Sequence, residues 1–281
     1  MRQYKILRLA GVHYPTILSL LTSDYPDFLD KSYNEQQTCL FERGALYSDS
    51  FSRSMERLGH KAYELIWDFE VIQRQWAKEN NFAVHPDTWM FEILMAQIEK
   101  IRPDVVYFQG TELCIPGRFQ NVGASTNIAT MIKEKFPFIR IIAMFSGFPS
   151  RISRLTNVDV LFSCTPAIVN HYRRAGAQSI LCYHAFDHDV LGNLVNCNTR
   201  QYDFVFVGST QAPAKRYWML RELLERTPIQ LWVNDSDELE ANGFFRQEWD
   251  YLKTKFHQSA GAGVRNWLGK LDEKGLQRIS Q

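Results

Sequence analysis

Residues Thr88–Gly110 read TWMFEILMAQIEKIRPDVVYFQG, and this stretch decides the fold class. Its first part sets Met90, Phe91, Leu94, Met95, Ile98 and Ile101 at three- and four-residue steps, the spacing of one helix face. Arg102-Pro103 closes that helix, because the residue before proline is pushed out of the helical region. The next five residues, Asp104–Phe108, are apolar on both faces and end at Gln109-Gly110. A short run of that kind suits a strand buried in a parallel sheet.

The same rhythm extends in both directions. Tyr4–Ala10, Ala62–Trp67, Arg140–Phe145, Val158–Phe162 and Ser179–Tyr183 read as further buried strands. Glu35–Leu58 reads as one long helix closed by Gly59-His60, and Asn127–Phe136 and Pro166–Ala175 as two more. Strands alternating with helices mean βαβ units and right-handed crossovers. The expected class is α/β, with a Rossmann-like parallel sheet over residues 1–190.

After Asp187 the composition turns polar. With Gly192, Asn193, Asn196 and Asn198, residues 191–201 read as a linker. The rhythm restarts at Tyr202–Val207, with a tight turn at Gly208-Ser209, a helix over Pro213–Arg226 and a strand at Ile229–Val233. Phe244–Phe256 and Asp272–Ile279 read as helices around a glycine-rich loop at 259–263. Residues 202–281 are therefore expected to form a partial second Rossmann-like domain.

Composition bounds the function classes. Thirty-two Lys and Arg against 31 Asp and Glu give a net charge of +1, which supplies no electrostatic reason for a nucleic-acid partner. The five cysteines, Cys39, Cys114, Cys164, Cys182 and Cys197, have no zinc-knuckle or redox spacing. Free thiols without a framework suit a reducing compartment, so a cytoplasmic protein is expected. No apolar run is long enough for a transmembrane segment, which leaves room for peripheral membrane contact. No metal-ligand spacing, Walker loop, G-x-G-x-x-G or G-x-S-x-G motif occurs.

In parallel α/β sheets ligands bind beyond the carboxyl ends of the strands. That rule selects Gly11 and His13, then Gly110 and Glu112, then Gly147, then His184 and Asp187, and finally Gly208 and Ser209. Glycine there lets a backbone approach a ligand closely. Glu112 is placed to take a proton from an acceptor hydroxyl, or else to solvate a loop. His184 and Asp187 are near enough to orient one another, or to hold the linker. Arg216, in the first turn of the helix after Gly208-Ser209 and beside Lys215, suits a phosphate cradle or a solvated helix face.

Tyr202–Ser209 (YDFVFVGS), followed by Arg216 and Leu220, Leu223 and Leu224, resembles the opening of the C-terminal domain of GT-B glycosyltransferases of the spore-maturation-type (CgeB-like) branch. Tyr183–Asp187 (YHAFD) resembles the passage that closes their N-terminal domain. The resemblance implies two facing Rossmann-like domains, an acceptor-type one at 1–190 and a donor-type one at 202–281. It implies transfer of a sugar from a nucleotide-sugar donor, a co-substrate rather than a cofactor, to a glycan or other hydroxyl acceptor without a bound metal. Glu112 is then the first candidate for general base and His13 the second, while Gly208, Ser209 and Arg216 approach the donor phosphates. Gly11, Gly110, Gly147, His184 and Asp187 line the acceptor side or cleft. Residues 201–281 hold room for about half of a donor domain, so weak or absent transfer by this chain alone is expected. A non-catalytic Rossmann-like binding module is the alternative.

Overall fold

The computed structural model describes residues 2–11, 16–43, 48–110, 127–148, 155–193, 200, 202–208 and 214–233. The chain divides into two compact units, Met1–Leu194 and Val195–Gln281.

The first unit is an α/β Rossmann-like layer. Six strands, β1 (Lys5–Ala10), β2 (Lys61–Ile66), β3 (Val105–Phe108), β4 (Ile141–Phe145), β5 (Val160–Ser163) and β6 (Ser179–Leu181), form one sheet. All neighbours are parallel, in the order β2-β1-β3-β4-β5-β6. The order reverses between β1 and β3, since the chain leaves β1 toward β2 and later returns to the other side. At such a reversal the loops diverge and open a crevice.

Among the described residues, seven α-helices lie between these strands: α1 (Ile17–Asp24), α2 (Tyr33–Glu42), α3 (Ser50–Arg57), α4 (Glu70–Glu79), α5 (Trp89–Ile101), α6 (Ile128–Lys135) and α7 (Pro166–Arg174). Local chemistry sets their ends. Ser32 and Glu35 form a capping box at the start of α2. Asn127 accepts from the Ala129 amide at 2.7 Å to start α6. Pro166 opens α7, and Gly176 follows it at φ +82°.

The sheet buries its two faces differently. Leu7, Leu9, Val106, Phe108, Ile142, Met144 and Leu161 point into one core shared with α5, α6 and α7. On the opposite face Ala10 and Ile66 pack with Ile17, Leu21, Leu40 and Ile72 from α1, α2 and α4. Farther along that face, among the described residues, no helix covers β4–β6. Phe145 and Phe162 are half-buried there, and Ile180 is 41% exposed.

Glu35–Leu58 is not one helix. α2 ends at Glu42 and α3 begins only at Ser50, where the Ser48 hydroxyl oxygen accepts from the Ser50 amide at 3.0 Å. A hydroxyl that satisfies a nearby backbone donor favours a turn over helix continuation. The apolar spacing carried across that break because α2 and α3 both bury one side. The polar stretch from His188 is also ordered locally, as a 3-10 helix over His188–Asn193.

The second unit contains β7 (Val205–Gly208), α8 (Ala214–Arg226) and β8 (Gln230–Val233), with β7 and β8 parallel. This is a βαβ unit. Gly208 is still within β7, opposite Val233, rather than in a turn after it. The expected helices at 244–256 and 272–279 and the loop at 259–263 lie outside the described residues.

Candidate functional site

β1 comes first at the strand-order reversal. Arg8 stands at the middle of this strand, where its Cα is in register with Glu64 on one side and Tyr107 on the other. Arg8 Nη1 lies 3.0 Å from Glu64 Oε2, and the two side chains are 8% and 5% exposed. The same nitrogen donates to the Ser48 carbonyl at 3.1 Å, and Nε donates to Gln109 Oε1. Glu64 in turn accepts from the Ser52 amide at 3.0 Å. Phe51 of α3 lies under the guanidinium at 5.7 Å and stacks on Tyr107 at 5.3 Å.

Burial shapes the electrostatics of this cluster. Desolvation raises the Glu64 carboxyl above its ordinary value of 4.5, although Arg8 and the Ser52 hydrogen bond pull the other way. Burial likewise pushes the Tyr107 phenol up to about 12. Sequence reasoning missed this network. Its one signal was a charge in each of two apolar strands, Arg8 in KILRLA and Glu64 in AYELI.

Gly11 follows β1 and is buried. A Cβ there would sit 3.1 Å from Asp68 Oδ2 and 3.3 Å from Trp67 Nε1. Its lack of a side chain therefore makes room for the turn after β2. On β3, across the strand-order reversal, the Gln109 amide donates to the Leu9 carbonyl at 2.9 Å, which extends the β1–β3 ladder by one bond. The Gln109 side chain is exposed and Gly110 is half-buried. His13 and Glu112, the two candidate bases, lie outside the described residues.

Gly147 belongs to a pinned loop after β4. The Tyr172 hydroxyl donates to the Phe148 carbonyl at 3.2 Å and lies 3.0 Å from Ser146 Oγ, which donates to the same carbonyl at 2.6 Å. Tyr172 is fully buried, so α7 fixes this loop from below.

His184 and Asp187 have different partners. The His184 ring rests on Phe145 with centroids 5.2 Å apart. Asp187 Oδ2 accepts from Ser48 Oγ at 3.3 Å and faces Arg53 Nη2 at 3.3 Å, while Oδ1 accepts from the Asp189 amide at 3.1 Å. Arg53 also pairs with Asp49 and Asp189. Asp187 thus ties the strap after β6 to α3. Of the two readings open in the sequence, the geometry favours holding the chain over orienting a base.

In the second unit a Cβ on Gly208 would come 3.0 Å from the Phe206 ring. Arg216 lies in the first turn of α8 and is exposed. Ser209 lies outside the described residues. Among the described residues, no group of three or more His, Cys, Asp or Glu is placed to hold a metal ion, and no helix is long and apolar enough to cross a membrane.

No protein-family model matches the sequence, and no curated protein does either. A solved structure that the chain resembles is a glycosyltransferase from Rickettsia africae ESF-5. The TM-score is 0.38 and the identity 11%, over 86% of this chain and 71% of that one. A likeness of this size carries no assignment of function.

Proposed function

We propose that the protein is a GT-B-type, metal-independent glycosyltransferase of the CgeB-like branch. It takes a sugar from a nucleotide-sugar donor and passes it to a glycan or other hydroxyl acceptor. What most supports the reading is the strand-order reversal between β1 and β3, the kind of place where open α/β sheets bind ligands, with Gly11, Gln109 and Gly110 at the strand ends beside it. The separate βαβ unit with Arg216 in the first turn of its helix is the second support. There the helix N-terminus and a guanidinium suit a diphosphate leaving group. Glu112 is the proposed base and His13 its reserve. The free thiols Cys39, Cys164 and Cys182 suit a cytoplasmic setting.

Calorimetry against nucleotides and nucleotide sugars tests this reading. Selective binding of one nucleotide sugar, weakened by Arg216→Ala, supports it, and Glu112→Gln should then abolish turnover of the fold-competent protein. Absence of binding across the panel overturns it in favour of a non-catalytic binding module.

A further inference from the structure

Arginine has five N–H donors and no acceptor. Whatever faces Arg8 Nε must therefore be an oxygen, so the Gln109 amide can point only one way. Its Oε1 is committed inward to the guanidinium. Its NH2 group is consequently left on the outer side of an exposed residue, at the carboxyl end of β3 and beside the strand-order reversal. Among the described residues that nitrogen has no partner. A glutamine amide in water samples both orientations, whereas this one is set by a charge more than nine-tenths buried and itself held by Glu64 and the Ser48 carbonyl.

The geometry points to Gln109 as a ligand-binding residue whose NH2 donates to a neutral hydroxyl oxygen of a sugar, with Arg8 as the positioning residue behind it. The preference for a neutral oxygen follows from the charges. The Arg8 cation is opposed at 3.0 Å by Glu64, so the pair presents a polar donor at the surface and no net positive charge to draw a phosphate. The sugar class rests on the proposed transferase reading, in which this unit takes the acceptor; the orientation of the amide does not.

The test uses the full chain and simple methyl glycosides (glucoside, galactoside and mannoside), with uridine diphosphate as the anionic arm. The Gln109 side-chain NH2 signals are identified in 1H–15N spectra by their loss in Gln109→Met. With at least one glycoside they shift saturably, and they stay in place with uridine diphosphate. Gln109→Met weakens that glycoside about tenfold, the worth of a hydrogen bond that is well placed. Arg8→Met combined with Glu64→Leu, which removes both buried charges and so keeps the fold, weakens it to a similar degree. Adding Gln109→Met to that pair weakens it no further, as expected when one group acts only through the other. Signals unmoved by every glycoside, or moved by uridine diphosphate instead, overturn the inference, as does full additivity of the variants. Because no nucleotide sugar is used, a glycoside response without nucleotide-sugar binding leaves this site standing while the transferase reading falls.

Discussion

Arg8 and Glu64 face each other in register across β1 and β2, 3.0 Å apart and almost wholly removed from water. A buried pair of this kind seldom stabilises a fold more than apolar residues of the same volume would, yet losing the cation strands the carboxylate. Arg8→Met alone should therefore cost about 3 kcal/mol, and Arg8→Met with Glu64→Leu should recover most of that loss. Urea unfolding of the three proteins measures it. Equal loss in single and double variants would mean that the two charges do not act as a pair.

The Glu64 carboxyl gives this cluster a pH dependence. Its pKa is raised in the fold, so the folded state holds the proton more tightly than the unfolded chain does. Its contribution to stability is present below the ordinary value of 4.5 and is lost as pH climbs through the raised value. Glu64→Gln keeps an acceptor for Arg8 and removes the titration. Its stability relative to the wild type should rise with pH across that acidic window, read from unfolding midpoints at a series of pH values. A difference that does not change with pH would contradict the raised carboxyl.

The strap after β6 should loosen when its cation is removed. Arg53 reaches Asp49, Asp187 and Asp189 at once, but these groups are partly solvated, so the global cost of Arg53→Ala should stay below about 1 kcal/mol. Hydrogen exchange should show the difference locally, with faster exchange at the Asp189 amide that Asp187 accepts. High salt should act in the same direction. Unchanged exchange would show that other contacts hold the strap.

Tyr172→Phe should release the loop that carries Gly147. The loss of a hydroxyl shared by Ser146 and the Phe148 carbonyl should cost about 1 kcal/mol. It should also raise the exchange rate of amides near Gly147 without altering α7. A stable variant with an unchanged loop would leave Ser146 as its sufficient anchor.

The sequence showed the sheet well and the site only in outline. Apolar runs at 104–108 and 140–145 mark strands because burial on both faces leaves no room for polar residues. The break between α2 and α3 was harder to see, since the apolar spacing runs on through the sequence between them. α1 and α4 went unread, although Ile17, Leu21 and Ile72 from them pack in the core on the second face of the sheet. Arg8 was hidden for another reason. Its meaning depends on Glu64 and Gln109, which lie 56 and 101 residues away along the chain, and no local pattern reports such a distance. Gly11, Gly110 and Gly147 follow β1, β3 and β4, whereas Gly208 lies inside β7; the strand-end rule could not distinguish the glycine that admits a neighbouring turn from the glutamine beside the strand-order reversal.

The position of β1 also bears on the order in which the protein is made. β1 leaves the ribosome before both of its partners, β2 and β3, so it waits for residues as late as Phe108 before both its edges are paired. During that wait KILRLA is an apolar segment of the kind that joins other chains edge to edge. An inward-pointing charge is a recognised guard against such pairing. Arg8 places such a charge in the middle of β1, and in the folded sheet Glu64 and Gln109 enclose it.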